Sequence, residues 1–166
     1  MKNPFEELLA ASITPFLEAG EMMVRELENS GYEHFREDTV RQSATETVTS
    51  IILSFHGKCR FMNFEHWHYE PQTEDLCLFM RKILEKNNWD PALGRQMVEQ
   101  YSRKRPLSDG EFRNLKLRLS YPWRYWKLVN YYAANQKVWI SRKNIEKIEQ
   151  ATALWKPWQH FLRSFF

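Results

Sequence analysis

The chain has 166 residues and a formal net charge of +3, and 15% of its side chains are aromatic. That length is typical of one domain with a sizeable hydrophobic core. Five glycines argue against a glycine-rich phosphate loop, and two cysteines, Cys59 and Cys77, are too few for a disulfide scaffold and suit a reducing compartment. The sequence shows neither a run of about 18 apolar residues nor a basic-then-apolar leader, so we expect an intracellular protein without a membrane span or signal peptide.

The charge is unevenly distributed along the chain. Residues 1–100 carry ten Lys or Arg and seventeen Asp or Glu, whereas residues 101–166 carry fourteen and four, a net charge of +10. A basic segment can attract nucleic acid or an acidic partner. The chain's own acidic part can also complement it, and we favour this second interpretation because neither a basic repeat nor a disordered tail accompanies the charge.

Apolar residues that recur every three or four positions predict about six helices. Ser108 and Glu111 have the spacing of a capping box at the start of the fourth helix. The predicted helices run from Pro4 to about Glu28, from Thr73 to about Lys86, from Asp90–Pro91 to before Pro106, in two segments of 107–139 that meet at Tyr121–Pro122, and from about Ser141 to Phe165 with a bend at Pro157. The predicted core face of the second helix is Leu76, Phe79, Met80, Ile83 and Leu84.

Residues 52–65 have the pattern of a tight β-hairpin. One apolar run reaches Phe55, the predicted turn is residues 56–58, and a second apolar run ends at residues 63–65. Residues 36–50 are polar and β-branched without a clear period, which predicts a loop. We therefore expect a mainly α fold, with about six helices and one short β-hairpin, in a single domain over residues 1–166.

Two patterns suggest chemistry but have simpler interpretations. The segment 121–139 mixes Trp and Tyr with Arg and Lys, as in platforms that stack single-stranded bases. Its aromatics recur at helical spacing, which favours packing in the core. His66 and His68 lie near Cys59 and several acidic residues, but structural zinc needs four ligands at firmer spacings, so we expect no metal site. No nucleophile elbow is present, and we expect no cofactor.

Three stretches together resemble a known family. They are NFEHWHYEPQTEDLCLFMRKILEKNNWD (63–90), PLSDGEF (106–112) and LSYPWRYWKLVNYYAANQKVW (119–139). They resemble the C-terminal lobe of the CotS-type spore-coat kinase-like family, in the aminoglycoside-phosphotransferase branch of the protein-kinase-like fold. The resemblance covers most of residues 4–150, and residues 151–166 form a helical C-terminal extension to it.

The resemblance implies where a kinase catalytic site would lie. In such kinases a loop of form H-G-D-x-x-x-x-N precedes a strand–turn–strand that ends in D-F-D or D-F-E; its first Asp accepts the substrate proton, and the Asn and later Asp hold magnesium. On this chain Ser43 stands at the His position, Thr45 at the catalytic Asp, Ser50 at the Asn and Asn63 at the metal-binding Asp. Thr45 cannot act as a carboxylate base, and Ser50 and Asn63 offer magnesium only neutral oxygens.

Asp75 is the one acidic residue of this pattern that the chain keeps. In the family that the chain resembles, this Asp supports the catalytic loop from the next helix. A carboxylate at a helix N-terminus is also favoured by the helix dipole alone, so both interpretations stay open. No glycine-rich loop, strand lysine or partner glutamate precedes the C-lobe pattern, and we expect the other half of a nucleotide site to be missing.

The sequence therefore predicts a catalytically inactive pseudokinase C-lobe, not an enzyme, with a structural or interaction role. We expect it in the mother-cell cytoplasm or the spore coat, where coat proteins or a second copy would bind near residues 43–68. Membrane, nucleotide and nucleic acid are not expected partners. Two alternatives stay open: a C-lobe fragment of a split or truncated kinase, and a module that binds nucleic acid or another polyanion through residues 101–166.

Overall fold

The computed structural model describes residues 4–32, 46–47, 51–55, 58–62, 68–69, 71–134 and 141–166. These residues contain seven α-helices and four short strands. The helices are α1 (Pro4–Asn29), α2 (Thr73–Leu84), α3 (Pro91–Ser102), α4 (Asp109–Ser120), α5 (Trp123–Ala134), α6 (Arg142–Ala153) and α7 (Trp155–Phe165), with a 3-10 turn at Glu85–Asn87. The strands are β1 (Glu46–Thr47), β2 (Ile51–Phe55), β3 (Lys58–Met62) and β4 (His68–Tyr69).

The predicted mainly α fold is confirmed, but the prediction of one short β-hairpin is wrong. The strands form two antiparallel pairs instead of one: β2 pairs with β3, and β1 pairs with β4. Lys58, predicted as a turn residue, is the first residue of β3 and lies opposite Phe55. The predicted turn residues 56–57 and the predicted hairpin end at residues 63–65 lie outside the described residues.

The seventh helix arises because the predicted last helix is two helices. Helix α6 ends at Ala153, and α7 begins at Trp155, so Pro157 lies in the first turn of α7 instead of at a bend within one helix. Proline has no N–H to donate to the carbonyl four residues earlier, and its ring clashes with that carbonyl. The break therefore falls at Leu154, before the proline. Pro157 then lies in the first turn of α7, at a position whose N–H group would have no intrahelical acceptor.

Local start signals predicted two other helices correctly. Asp90 caps α3 by accepting a hydrogen bond from the backbone N–H of Ala92 at 2.9 Å, and Pro91 follows in the first turn. At α4 the predicted capping box is confirmed, because Ser108 accepts from the backbone N–H of Glu111 and the Glu111 carboxylate accepts from the backbone N–H of Ser108. These contacts span only a few residues, so the sequence pattern is sufficient to predict them.

One hydrophobic cluster joins α1, α5 and α6. The rings of Phe16 and Tyr125 stack with their centroids 3.9 Å apart, and the Tyr125 hydroxyl lies 2.9 Å from the Ser12 hydroxyl. Tyr132 donates a hydrogen bond to the Glu6 carboxylate, which ties the other end of α5 to the start of α1. Ile148 from α6 is fully buried in the same cluster. The aromatic residues Tyr125 and Tyr132 are therefore core residues, as their helical spacing indicates.

A second hydrophobic cluster joins α2, α3, α4 and α7. The side chains of Met80, Leu84, Leu115, Leu119 and Phe161 are fully buried in it. Close packing requires glycine at position 94, because a Cβ there would lie 2.6 Å from a ring carbon of Phe161. The predicted core face of α2 is confirmed at Leu76, Met80 and Leu84 but is wrong at Phe79, whose residue is 45% exposed.

None of the helices that the structure describes is both long enough and apolar enough to cross a membrane.

Candidate functional site

The polar residues around the start of α2 form the candidate site, because this helix carries Asp75. Asp75 lies half-buried in the first turn of α2, next to Glu74. Of the loop that it is predicted to support, residues 43–50, the structure describes only Glu46–Thr47, which form β1. The four other predicted site residues lie outside the described residues; they are Ser43, Thr45, Ser50 and Asn63. The support that Asp75 would give to that loop therefore stays a prediction.

Arg118 on α4 is the centre of the hydrogen-bond network beside Asp75. Its Nε donates to the Asn114 side-chain oxygen at 3.1 Å, and its Nη2 donates to the Tyr32 hydroxyl at 2.8 Å. Its Nη1 lies 3.4 Å from Glu74 Oε1. The guanidinium thus joins the region after α1 to the start of α2 and to α4. We call Arg118, Glu74, Asn114, Tyr32 and Thr73 the arginine network.

The amide of Asn114 is held in one orientation. Only 3% of the residue is exposed, and its Oδ1 accepts hydrogen bonds from Arg118 and from the Thr73 hydroxyl, the latter at 2.9 Å. Two donors at the same atom identify it as the oxygen, because an amide nitrogen could not accept either bond. The Asn114 Nδ2 makes no hydrogen bond. This atom is closed to water, so the amide does not present it to a ligand.

A second arginine, Arg81, lies on the same side of the protein as the arginine network. It is buried and donates from Nη1 to the backbone carbonyl of Tyr121 at 3.0 Å and from Nη2 to the carbonyl of Arg118. Both carbonyls lie at the C-terminal end of α4, where helix carbonyls lack intrahelical donors and the dipole favours a cation. Arg81 therefore caps α4 from the neighbouring helix.

Cys77 lies between these two arginines but is poorly suited to act as a nucleophile. Burial raises the pKa of its thiol above the ordinary value, although the guanidinium groups of Arg81 and Arg118 act in the opposite direction. A raised pKa keeps the sulfur protonated at neutral pH, and the reactive form of cysteine is the thiolate. The Cys77 side chain is 4% exposed, which also restricts the access of a substrate.

A cavity of about 320 Å³ lies next to the arginine network. Its apolar wall is formed by side chains from α1, α2, α4 and α5, which are Met23, Leu27, Leu78, Leu117 and Trp123. Its polar wall is formed by Arg81 and by the arginine network without Thr73. Each nitrogen of the Arg118 guanidinium already contacts a protein acceptor. This wall therefore holds helices together and has little capacity left to bind a negative charge on a substrate.

The described residues do not form a metal centre. They contain no group of three His, Cys, Asp or Glu side chains that could hold a metal ion. Magnesium in a kinase site is held by carboxylates together with substrate phosphates. The two residues that the resemblance assigns to the magnesium positions, Ser50 and Asn63, are neutral, so their chemistry does not fit magnesium.

Comparison with known proteins shows a similarity in fold. No protein-family model matches the chain, and no curated protein matches it. The crystal structure of an aminoglycoside phosphotransferase from Alicyclobacillus acidocaldarius matches with a TM-score of 0.86 at 19% sequence identity. The fold is kinase-like. The match covers 99% of this chain and 50% of the phosphotransferase, so this kinase-like chain spans half the length of that structure.

The match confirms the coarse part of the predicted resemblance, which is the kinase-like fold. The specific link to the CotS-type family stays a prediction. Sequence reasoning identified Asp75 but missed Arg118, Asn114, Thr73 and Tyr32. One signal was present, because Asn114 and Arg118 are four residues apart and therefore share a face of α4. Their contacts with Thr73 and Tyr32 connect residues 41 and 86 positions apart, which no local pattern indicates.

Proposed function

We propose that this kinase-like chain does not transfer phosphate and acts by binding other proteins. One observation carries the proposal: a chain with the fold of a phosphotransferase half has neutral residues at the positions of the catalytic base and the magnesium ligands. Those positions are Thr45, Ser50 and Asn63, as the resemblance assigns them.

The loss of these charges removes the main sources of catalysis. Phosphoryl transfer depends on positioning and on electrostatic stabilisation, because the protein does little covalent chemistry. Thr45 cannot take a proton from an alcohol at neutral pH. Ser50 and Asn63 cannot supply the negative charge that draws a divalent ion to the phosphates. The arginine network does not compensate, since the Arg118 guanidinium is engaged with protein acceptors, and so is that of the neighbouring Arg81.

The surface supports a role in binding. Several large apolar side chains are well exposed among the described residues, including Met22 on α1, Phe79 on α2 and Trp123 on α5. Contiguous exposed apolar surface marks interaction sites in many soluble proteins. The resemblance of residues 75–90 and 121–127 to CotS-type proteins supports the spore coat or the mother-cell cytoplasm as the location, with coat proteins or a second copy as partners.

Titration calorimetry with Mg-ATP tests the inactive assignment. We expect no magnesium-dependent binding in the micromolar range and no transfer of phosphate to any acceptor. A matched variant restores the missing groups with Thr45→Asp, Ser50→Asn and Asn63→Asp, which separates the loss of ligands from the loss of the whole pocket. Phosphate transfer by the wild-type chain alone that is abolished by Asn63→Ala would show that the assignment is wrong.

A second candidate function follows from the coverage of the match. The chain spans half of the phosphotransferase structure, which is the relation expected if a separate polypeptide supplies the other half. A gene next to this one that encodes a glycine-rich loop and a strand lysine would identify that polypeptide. Mixing the two purified chains should then produce Mg-ATP binding that neither shows alone. Absence of binding in the mixture would remove this candidate.

A further inference from the structure

A basic cavity lies next to the hydrophobic cluster of α1, α5 and α6, because Leu128 belongs to both. It occupies about 410 Å³ between α5 and α6, and we define it by Arg124, Lys127, Tyr131, Asn144 and Lys147, with Leu128 at its base. Three of these side chains are cationic. No carboxylate lines the cavity among the residues that the structure describes. Its volume lies within the range of small-molecule sites, roughly 300–1,000 Å³.

The three cations differ in their partners. Arg124 is held in place, because its Nη1 lies 3.5 Å from Glu85 Oε2 and its Nη2 donates to Gln150 Oε1 at 2.9 Å. Lys127 and Lys147 make no ion pair or hydrogen bond with any of the described residues. The cavity therefore combines one oriented guanidinium with two ammonium groups that are available to a ligand.

The start of α6 adds to the positive potential. Asn144 lies in the first turn of α6, which contains Arg142 and Lys143 but no acidic residue. The Ser141 side chain makes no capping hydrogen bond to this turn. Cations at the N-terminus of a helix oppose its dipole, whereas an anion there is favoured. Arg142 has a partner in Glu146 at 3.3 Å. The positive charge that lines the cavity is therefore carried by Lys147 on α6 and by the cations of α5.

We propose that the basic cavity binds a phosphate-bearing anion. Two lysines and an oriented arginine converge on it from two helices, and an asparagine amide can donate a further hydrogen bond. Phosphate oxygens accept several such charge-assisted bonds at once. The cations supply the charge that a metal ion supplies in a kinase site, so binding here requires no magnesium. This inference is independent of the proposed function, because it uses no residue of the kinase positions.

Tripolyphosphate in the presence of EDTA is the probe for this site. Calorimetry on the full chain should show one binding site, and raising the salt from about 20 to about 200 mM should weaken it at least about tenfold, since salt screens exposed charges. The variant K127Q/K147Q should bind at least about tenfold more weakly. The conservative variant K127R/K147R should bind like the wild type, which separates charge from the identity of the side chain.

A matched control removes two lysines elsewhere. Lys86 and Lys156 are exposed and lie outside the cavity, so K86Q/K156Q changes the net charge equally. It should keep wild-type affinity for tripolyphosphate. A second titration with a single-stranded oligonucleotide shows whether the bound phosphate belongs to a nucleic acid strand or to a free phosphate compound. Binding of either probe must depend on Lys127 and Lys147. Absence of binding, or equal losses in the cavity and control variants, would overturn the proposal.

Discussion

The arginine network and the basic cavity use the same kind of side chain in opposite ways. In the network, Arg118 meets three protein acceptors, and the Glu74 and Asn114 side chains around it are largely buried. In the cavity, Lys127 is exposed and Lys147 is half-buried, and neither meets an acceptor among the residues that the structure describes. The first arrangement holds helices together, and the second leaves charge available to a ligand. The number of partners already present thus distinguishes a structural cation from a binding one.

The largest expected effect is from Arg118→Leu. The substitution leaves the Glu74 carboxylate and the Asn114 amide without their shared donor, and removal of one partner from a mostly buried ion pair is strongly destabilising. We expect the free energy of unfolding in urea to fall by about 2–3 kcal/mol. The control is Arg113→Leu, which removes an exposed arginine from the same helix and should change it by less than about 0.5 kcal/mol. Equal effects would contradict the structural role of Arg118.

Thr73→Val tests a single bond of the network. The fully buried hydroxyl donates to Asn114 Oδ1, and valine keeps its shape without the donor. We expect a loss of about 1 kcal/mol in the free energy of unfolding. Thr152→Val is the control, because that hydroxyl bonds only to the carbonyl of Ile148 in its own helix. A loss at position 152 as large as that at position 73 would argue against a special role for the network.

Glu111 is a second charged side chain with protein partners, and its contribution to the free energy of unfolding depends on pH. Burial raises its pKa, but hydrogen bonds from the Ser108 backbone and from Arg105 outweigh burial, so the folded pKa lies below the ordinary 4.5. The stabilisation is therefore present above pH 4.5 and is lost as the pH falls through the folded pKa. In urea unfolding between about pH 7 and about pH 3, Glu111→Gln should lose less stability on acidification than the wild type. The control is Glu99→Gln, which removes an exposed carboxylate, and equal changes in the two variants would contradict the role of the capping box.

The smallest expected effect on stability is from K127Q/K147Q. Because neither lysine has a partner in the fold, we expect the free energy of unfolding to change by less than about 0.5 kcal/mol. A small increase would agree with the relief of positive charge near the start of α6. The same variant should lose affinity for tripolyphosphate. A fall in stability of more than about 1 kcal/mol would place these lysines with Arg118 as structural cations.

The sequence predicted what depends on neighbouring residues. The capping box of Ser108 and Glu111 and the start of α3 at Asp90–Pro91 follow from contacts within a few positions. The predicted last helix was wrong because the effect of Pro157 on the preceding turn was placed at the proline itself. The burial of Phe79 was also wrong, because helical spacing gives a face of α2 but not the width of the surface that other helices cover.

The sequence alone determined a mainly α chain and its kinase-like resemblance, because these depend on residue identity and local spacing. Only the tertiary structure decided which cationic side chains are paired with protein acceptors. Arg118 reaches Tyr32 across 86 positions, and Lys127 and Lys147 meet at one cavity from two helices. Electrostatic environment depends on distance and burial, and packing sets both between residues that are far apart in the chain.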